Sequence, residues 1–191
     1  MTFDKVFTIN LTDVNEFAVT APTDANASTN AVNETAANGT VVGITAAASD
    51  ADATNNAITY ALFDNAGGRF AINSSTGVVT VADGTLLDRE TAASHNITVR
   101  AISVDGSTAD TVFTINLNDV DEFDVGPVSD TNAGVNSVAE NAAIGTQVGV
   151  QASAADADAT TNIITYTLDN NAGGRFAVDA STGVVTVLDG S

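Results

Sequence analysis

Acidic side chains in this sequence are grouped, and the densest group is the run DVDEFD at residues 119–124. Four carboxylates fall within these six residues: Asp119, Asp121, Glu122 and Asp124. Like charges at such close spacing repel one another unless water, salt or a bound cation compensates them. The run follows an alternating apolar segment and so has the position of a linker. We therefore treat it as a candidate cation site.

Further acids recur at matched places in the chain. The run FTINLTDVNEF ends in a similar linker that contains Asp13, Asn15 and Glu16. The segment SDADATNN supplies Asp50 and Asp52, and its later copy ADADATTN supplies Asp156, Asp158 and Asn162. The remaining candidates are Asp88 and Glu90 in LDRE, Glu34 near the start of a module (its later copy is Glu140), and Asp105 in a glycine turn. Any one of these acids could simply be a solvated surface residue, but their recurrence favours a metal.

The donor types indicate which metal this would be. Sets of several carboxylate and carbonyl oxygens suit calcium, which takes six to eight oxygen ligands, whereas magnesium keeps more of its waters. A zinc site needs His or Cys, and the chain has one histidine, His95, and no cysteine. The sequence contains neither an EF-hand loop nor a glycine-rich calcium nonapeptide. Calcium is therefore the predicted ion.

Composition narrows the classes of function. The formal net charge is −19, with 5 basic and 24 acidic residues, which disfavours nucleic acid and anionic membranes as partners. The chain is strongly acidic, but 44% of its residues are hydrophobic and fall in short alternating runs, which argues against disorder. The sequence shows no membrane-length apolar run and no signal peptide, and Met1 resembles a fragment edge. It also offers no nucleophile, cofactor cradle or acid–base pair, so we predict that it is not an enzyme.

The sequence repeats with an offset of 106 residues. FTINLTDVNEF at 7–17 returns at 113–123, NAGGRFAI at 65–72 returns as NAGGRFAV at 171–178, and STGVVTVADG at 75–84 returns as STGVVTVLDG at 181–190. Modules of this length match an immunoglobulin-like sandwich. The repeat predicts three parts: residues 1–17 as the C-terminal strand of a preceding repeat, 18–123 as a complete repeat, and 124–191 as a truncated second repeat.

The elements that carry the acids are predicted to be β-strands. Apolar and polar residues alternate in HNITVRAISV at 95–104, in VFTINLND at 112–119 and in AITYALF at 57–63. Two further runs, TVVGITAAA at 40–48 and VVTVA at 78–82, complete the set. Turn residues such as Asn38-Gly39 and Asp105-Gly106 separate them. Short strands at this spacing predict an all-β, Greek-key sandwich.

Several motifs together resemble the cadherin repeat. The run GGRFAINSSTGVVTVADGTLLDRETAASHNITVRAISVDGS at 67–107 is similar to that family's F-x-I-x-x-x-T-G-x-I…LDRE…V-x-A-x-D pattern. VNETAANGTVVG at 32–43 resembles its V-x-E-N-x-x-x-G-T opening, and DVDEFD stands where the family has D-x-N-D-N. The resemblance implies a cadherin-like fold in tandem repeats with calcium between successive modules.

The resemblance also implies a ligand set at the junction near residue 123. One side would contribute Glu34, Asp88 and Glu90, the linker would contribute Asp119, Asp121 and Glu122, and the next module would contribute Asp156, Asp158 and the Asn162 carbonyl. The junction near residue 17 is expected to bind calcium more weakly. The sequence departs from the family at Phe123, which replaces the last linker Asn, and at Ser103, which replaces the acid of A-x-D, with Asp105 two residues later. No Trp is available for strand-swapped adhesion.

Two functions of different class are compatible with these features. The first is an extender of a cell-surface or secreted adhesion protein, made rigid by calcium, whose partners are calcium, neighbouring repeats and homophilic surface proteins. The alternative is a calcium-dependent, lectin-like module that binds extracellular polysaccharide. Richness in Thr, Ala, Asn and Asp and the lack of cysteine resemble bacterial tandem-repeat surface adhesins. Because only 5% of residues are aromatic, the extender is favoured.

Overall fold

The computed structural model describes residues 1–12 and 14–190. The chain forms two compact units, residues 1–118 and residues 119–191. This division places the linker residues 119–123 with the second unit, whereas the repeat period predicts a boundary after residue 123. The first boundary is based on contacts within each unit, and the second is based on where the sequence repeat begins again. The two do not test each other, so the predicted domain bounds stay a prediction.

The first unit is a sandwich of two four-stranded sheets. Its strands are β1 (Thr23–Asp24), β2 (Ala31–Asn33), β3 (Val41–Ala47), β4 (Ile58–Asp64), β5 (Phe70–Ile72), β6 (Val78–Val81), β7 (Ser94–Ser103) and β8 (Thr108–Asn118), with a short 3-10 helix at Gly84–Leu86. One sheet has the order β1-β3-β6-β5 and the other β2-β8-β7-β4. The prediction of an all-β sandwich is confirmed.

The alternating pattern of the strands produces the core between these sheets. In β7 the side chains of Ile97, Val99 and Ala101 are fully buried, while the intervening residues are half-buried or exposed. In β8 the side chains of Ile115 and Leu117 are buried in the same core cluster. Period-two burial is the expected result of packing one face of each sheet against the other.

In the second sheet, β8 lies between β2 and β7 and pairs with both of them. β7 and β8 form an antiparallel hairpin in which Ser94 lies opposite Asn116 and Ile102 lies opposite Thr108. On its other side β8 runs parallel to β2, and Val32 is the register partner of Leu117. The turn of the hairpin, between β7 and β8, carries Asp105 to one end of the unit.

The second unit contains one sheet among its described residues. Its strands are β9 (Ser129–Asp130), β10 (Gln147–Ser153), β11 (Phe176–Val178) and β12 (Val184–Val187), in the order β11-β12-β10-β9. Residues 164–170 correspond to β4 by the 106-residue offset but are not in a strand. In the first unit β4 pairs with β7, and no described residue of the second unit takes the place of β7.

A glycine bulge interrupts the same strand in both units. The pairing of β3 with β6 shifts register between Val41 and Thr45, and Gly43 within this interval has φ +85°. The pairing of β10 with β12 shifts in the same way, with Gly149 at φ +81°. Such a bulge bends the strand and favours glycine because other residues are strained at positive φ. A Cβ at Gly43 would also lie 2.3 Å from the Thr29 carbonyl oxygen.

We predict that Gly43→Ala destabilises the first unit more than Gly39→Ala does. Gly39 also has positive φ, at +90°, but a Cβ there would meet no atom within 4 Å. Both variants carry the left-handed strain of roughly 1–2 kcal/mol, and only Gly43→Ala adds overpacking of roughly 1–3 kcal/mol. Urea unfolding followed by circular dichroism measures the difference. Equal free energies of unfolding for the two variants would contradict the bulge as described.

Candidate metal centre

A loop after β3 presents Asp50 and Asp52. The Asp50 carboxylate accepts a hydrogen bond from the Asp52 backbone N–H at 3.2 Å. The Asn56 amide donates to the Asp52 carbonyl at 2.8 Å, and Asn55 has φ +56°. Asn is one of the residues that tolerate this left-handed conformation. The run DADATNN therefore folds as a self-bonded loop that holds both aspartates.

Asp52 also fixes the segment that enters the unit. Its Oδ1 atom accepts hydrogen bonds from the backbone N–H groups of Glu16 at 3.0 Å and Phe17 at 3.3 Å. Only 3% of the residue is exposed. The carboxylate thus ties residues 16–17 to the loop through Oδ1. Its second oxygen, Oδ2, takes no part in these hydrogen bonds.

Asp105 reaches the same place from the turn between β7 and β8. Its Oδ1 accepts a hydrogen bond from the Ser107 backbone N–H at 2.7 Å. This hydrogen bond is the main reason that the pKa of Asp105 lies below its ordinary value, and the side chains of Ser103 and Asn15 contribute in the same direction. Ser103, at the position of the family's acid, instead donates its hydroxyl to the Asn55 carbonyl at 3.1 Å. The structure therefore brings Asp105, rather than residue 103, to the two loop aspartates.

The three carboxylates converge with oxygens that lack partners. One oxygen from each of Asp50, Asp52 and Asp105 can be chosen so that all lie within 4.8 Å of one another. The Oδ2 atoms of all three are buried and have no hydrogen-bond partner among the described residues. Calcium–oxygen distances of roughly 2.3–2.6 Å place opposed ligands about 5 Å apart. The donor type, spacing and missing partners all fit one calcium ion.

The second unit repeats the anchoring of its entering segment. Asp158, the counterpart of Asp52, is 2% exposed, and its Oδ1 accepts from the backbone N–H groups of Glu122 at 3.1 Å and Phe123 at 3.4 Å. The Asp156 carboxylate accepts from the Asp158 N–H at 3.3 Å. The Oδ2 atom of Asp158 is again buried without a partner. The same half-satisfied carboxylate is thus present in both units.

Asp121 adds a second carboxylate beside Asp158. The pKa of Asp121 is raised, first through a hydrogen bond with the Asp158 side chain and then through repulsion from the charge of Asp158. Smaller repulsions come from Asp156 and Asp124. A raised pKa means that the folded state favours a shared proton, and this contribution to stability is lost as the pH rises through the raised value. A cation could neutralise the pair at neutral pH.

Asp119 has a partner within its own unit. Its Oδ2 accepts a hydrogen bond from the Thr160 backbone N–H at 3.1 Å and another from the Thr160 hydroxyl. Asn162 is exposed, and its first-unit counterpart Asn56 donates to a backbone carbonyl. In this structure Asp119 therefore orders the loop that follows Asp158.

Glu34 and the LDRE run lie together in the first unit. Glu34 accepts a hydrogen bond from the Arg89 backbone N–H at 2.5 Å, and the Arg89 guanidinium donates to the Leu117 carbonyl. Both oxygens of Asp88 accept from Thr91, through its N–H at 2.7 Å and its hydroxyl at 2.8 Å. These hydrogen bonds lower the pKa of Asp88. Glu90 is exposed.

The predicted ligands are thus brought together in part. Asp50, Asp52 and Asp105 form one cluster with Asn15 beside it, and Asp121, Asp156 and Asp158 are neighbours in the second unit, with Glu122 bound through its N–H. Asp13 lies outside the described residues. The larger set, which combines Glu34, Asp88 and Glu90 with residues of the second unit, stays a prediction. Sequence reasoning missed Arg89, although it stands within LDRE between two predicted ligands.

Comparison with known proteins identifies relatives of this chain. Residues 28–118 match the sequence model of the cadherin domain. Human protocadherin Fat 4 is 39% identical over 146 residues, which cover 74% of this chain and 3% of that protein. The chain therefore spans a small part of this much longer relative.

Solved structures show the same fold. Mouse cadherin-23 EC22-24 is 30% identical with a TM-score of 0.69 and is matched over 94% of this chain and 56% of that one. Protocadherin gamma B2 extracellular cadherin domains 3–6 are 22% identical with a TM-score of 0.75, over 94% of this chain and 45% of that one. These relatives are adhesion modules, which agrees with the prediction that the chain is not an enzyme. Within residues 1–12 and 14–190, no helix has the length and apolar character needed to cross a membrane.

We predict that Asp121→Asn has opposite effects with and without calcium. Without metal at pH 7, the variant should have a higher Tm than the wild type because one of two repelling charges is removed. With calcium, its gain in Tm should be smaller because a ligand is lost. Differential scanning calorimetry measures both, and Asp169→Asn, which removes one exposed charge outside the acidic clusters, is the control. A lower Tm without metal, or an unchanged calcium response, would contradict the paired carboxylates.

Proposed function

The chain contains a cadherin repeat over residues 28–118, and on that premise we propose that it is a calcium-binding module of an extracellular adhesion protein. The proposal is carried by one observation. Asp50, Asp52 and Asp105 each have a buried carboxylate oxygen without a partner, and one carboxylate oxygen of each lies within 4.8 Å of those of the other two. The predicted calcium cofactor has its strongest support here, beside residues 15–17, where the sequence led us to expect the weaker binding.

The physical argument concerns uncompensated charge. Burying a carboxylate oxygen without a hydrogen bond is unfavourable, and three like charges in one place add repulsion. A divalent cation removes both penalties at once, and an ion that binds only the folded state stabilises it by about 2.7 kcal/mol when its concentration is 100 times Kd. The three aspartates would hold this ion, and Asn15 would lie at its edge.

Calcium binding would also order the segment that enters each unit. Asp52 and Asp158 hold the backbone of residues 16–17 and 122–123 through Oδ1, and their Oδ2 atoms are available for the metal. Neutralising each aspartate would keep it seated against those N–H groups. We infer that calcium makes the linkers rigid, so that tandem repeats act as an extender in an adhesion protein.

The remaining predicted ligands belong to this proposal on the basis of the family resemblance. Glu34, Asp88, Glu90, Asp119, Asp121 and Glu122 would complete the calcium sites of successive repeats. Asp88 and Asp119 would first have to exchange their hydrogen bonds with Thr91 and Thr160 for metal contacts. The parent protein would act at the cell surface, and the lack of cysteine supports a bacterial tandem-repeat adhesin. Polysaccharide binding, the alternative, gains no specific support from the described residues.

We predict that Asp52→Asn weakens calcium binding by at least tenfold at the first-unit site. The amide oxygen can still accept the N–H groups of Glu16 and Phe17, so the fold should persist while a charged ligand is lost. Isothermal titration of the full chain measures Kd and stoichiometry. The control is Asp169→Asn, which removes one exposed charge. Unchanged titration of Asp52→Asn, or an equal loss in the control, would overturn the proposed site.

We also predict that calcium narrows the range of shapes the chain adopts in solution. Without the ion, repulsion within the acidic clusters should loosen residues 14–17 and 119–123. Small-angle scattering in calcium and in chelator measures the spread of maximum dimensions. The same scattering profile in both conditions, with calcium binding verified by titration, would contradict the extender function while leaving the metal site intact.

A further inference from the structure

One tyrosine in each unit contacts the start of the acidic loop. In the first unit the Tyr60 hydroxyl accepts a hydrogen bond from the Ala48 backbone N–H at 3.0 Å. In the second unit the Tyr166 hydroxyl accepts one from the Ala154 N–H at 3.1 Å. The donor and the acceptor are 12 residues apart in both units, and these two are all the tyrosines of the chain. The contact is therefore a property of the repeat.

Ala48 lies at the point where the loop leaves the sheet. β3 ends at Ala47, and the loop aspartates, Asp50 and Asp52, follow soon after Ala48 in the sequence. Ala48 is half-buried, and a backbone N–H that has left the strand and is partly shielded from water needs another acceptor. Tyr60 supplies this acceptor, so its hydroxyl fixes the first residue of the loop.

The tyrosine is itself held in place. The Tyr60 ring is half-buried and packs against the core cluster of the first unit, and its backbone N–H donates to the Ser74 carbonyl at 2.9 Å. The Tyr166 N–H donates to the Ala180 carbonyl at 2.9 Å in the same way, although residues 164–170 are not in a strand. The contact of the tyrosine with the loop thus does not depend on the pairing of β4 with β7.

The next residue of the loop is held by the segment that enters the unit. The Ser49 carbonyl accepts a hydrogen bond from the Thr20 N–H at 2.8 Å, and the Ser49 N–H donates to the Thr20 hydroxyl at 2.9 Å. In the second unit the carbonyl of Ala155, the counterpart of Ser49, accepts from the Gly126 N–H at 2.7 Å. The beginning of the loop is therefore held by contacts within the protein, to the core through the tyrosine and to the entering segment.

We propose that Tyr60 is a positioning residue for the calcium site of the first unit, and that Tyr166 has the same role in the second unit. The inference rests on the proposed calcium binding. A ligand loop that is held in its binding conformation loses less conformational freedom when the ion binds. By holding Ala48, the hydroxyl keeps the loop aspartates where their carboxylates meet that of Asp105. The tyrosine acts through the backbone and is not itself a ligand.

The first test measures this anchor in chelator, without calcium. Tyr60→Phe keeps the aromatic ring and removes only the hydroxyl, so the Ala48 N–H loses its acceptor. We expect amide hydrogen exchange at Ala48, followed by NMR, to become about tenfold faster in this variant, while Ala154 keeps its wild-type rate. Tyr166→Phe should show the reverse. Unchanged exchange at Ala48 in Tyr60→Phe, or equally faster exchange at both alanines, would overturn the proposal.

The second test measures calcium affinity by isothermal titration of the full chain. The first-unit site is identified as the step of the titration that Asp52→Asn weakens. We expect the Kd of this step to rise roughly three- to tenfold in Tyr60→Phe, the range that corresponds to the loss of one hydrogen bond. Tyr166→Phe makes the same chemical change in the other unit and should leave this Kd unchanged.

A second control separates positioning from a general loss of stability. Ile97→Val removes one methylene group from the same core, at a place in β7 that lies roughly 20 Å along the strand from Ser103 and the hairpin turn. It should lower the Tm and leave the first-unit Kd unchanged. An unchanged Kd in Tyr60→Phe, or an equal rise in Ile97→Val, would overturn the positioning role alone. A wild type that binds no calcium would overturn the proposed function together with this inference.

Discussion

In each unit, one buried aspartate accepts hydrogen bonds from the entering segment through one carboxylate oxygen, while its other oxygen has no partner. Asp52 and Asp158 are almost completely buried, and each uses Oδ1 to accept two backbone N–H groups of the preceding segment. The Oδ2 atom of each is buried without a partner. Since an unsatisfied buried carboxylate oxygen is unfavourable, this arrangement is stable only if something else supplies the missing interaction. We propose that calcium supplies it, because the candidate ligands are all oxygens.

The fold of the first unit brings aspartates that are far apart in the sequence close together in space. The loop after β3 provides Asp50 and Asp52, and the β7–β8 hairpin provides Asp105 more than fifty positions later. On the apolar face of this hairpin, Ile97 and Ile115 are completely buried in the core. The core thus determines where the Asp105 carboxylate lies, and the cluster that results could hold a cation.

The strands were predictable because burial follows the alternation of the sequence. HNITVRAISV and VFTINLND identify β7 and β8 within a few residues, and the 106-residue repeat identifies the modules. The acidic loop DADATNN was predictable as a site because its residues are local and recur. The prediction of calcium rests on the donor types alone. Fold class and family resemblance were therefore accessible before the structure.

Other features depend on long-range geometry that sequence patterns do not contain. Alignment with the family places an acid at Ser103, and only the shape of the hairpin turn shows that Asp105 reaches Asp50 and Asp52. The hydrogen bonds of Asp119 to Thr160 and of Asp88 to Thr91 depend on side-chain orientation. In the described part of the second unit, residues 164–170 match β4 in sequence but lie outside any strand, whereas β4 itself pairs with β7, so this strand depends on a long-range partner as well as on local propensity.

A crystal structure of the calcium-loaded chain tests the central claim most directly. The account predicts an ion bound by oxygens of Asp50, Asp52 and Asp105 at distances of roughly 2.3–2.6 Å, with Asp52 still accepting the N–H groups of Glu16 and Phe17. It would be contradicted by a calcium-soaked structure in which these three aspartates hydrogen-bond to water or protein and no ion lies between them.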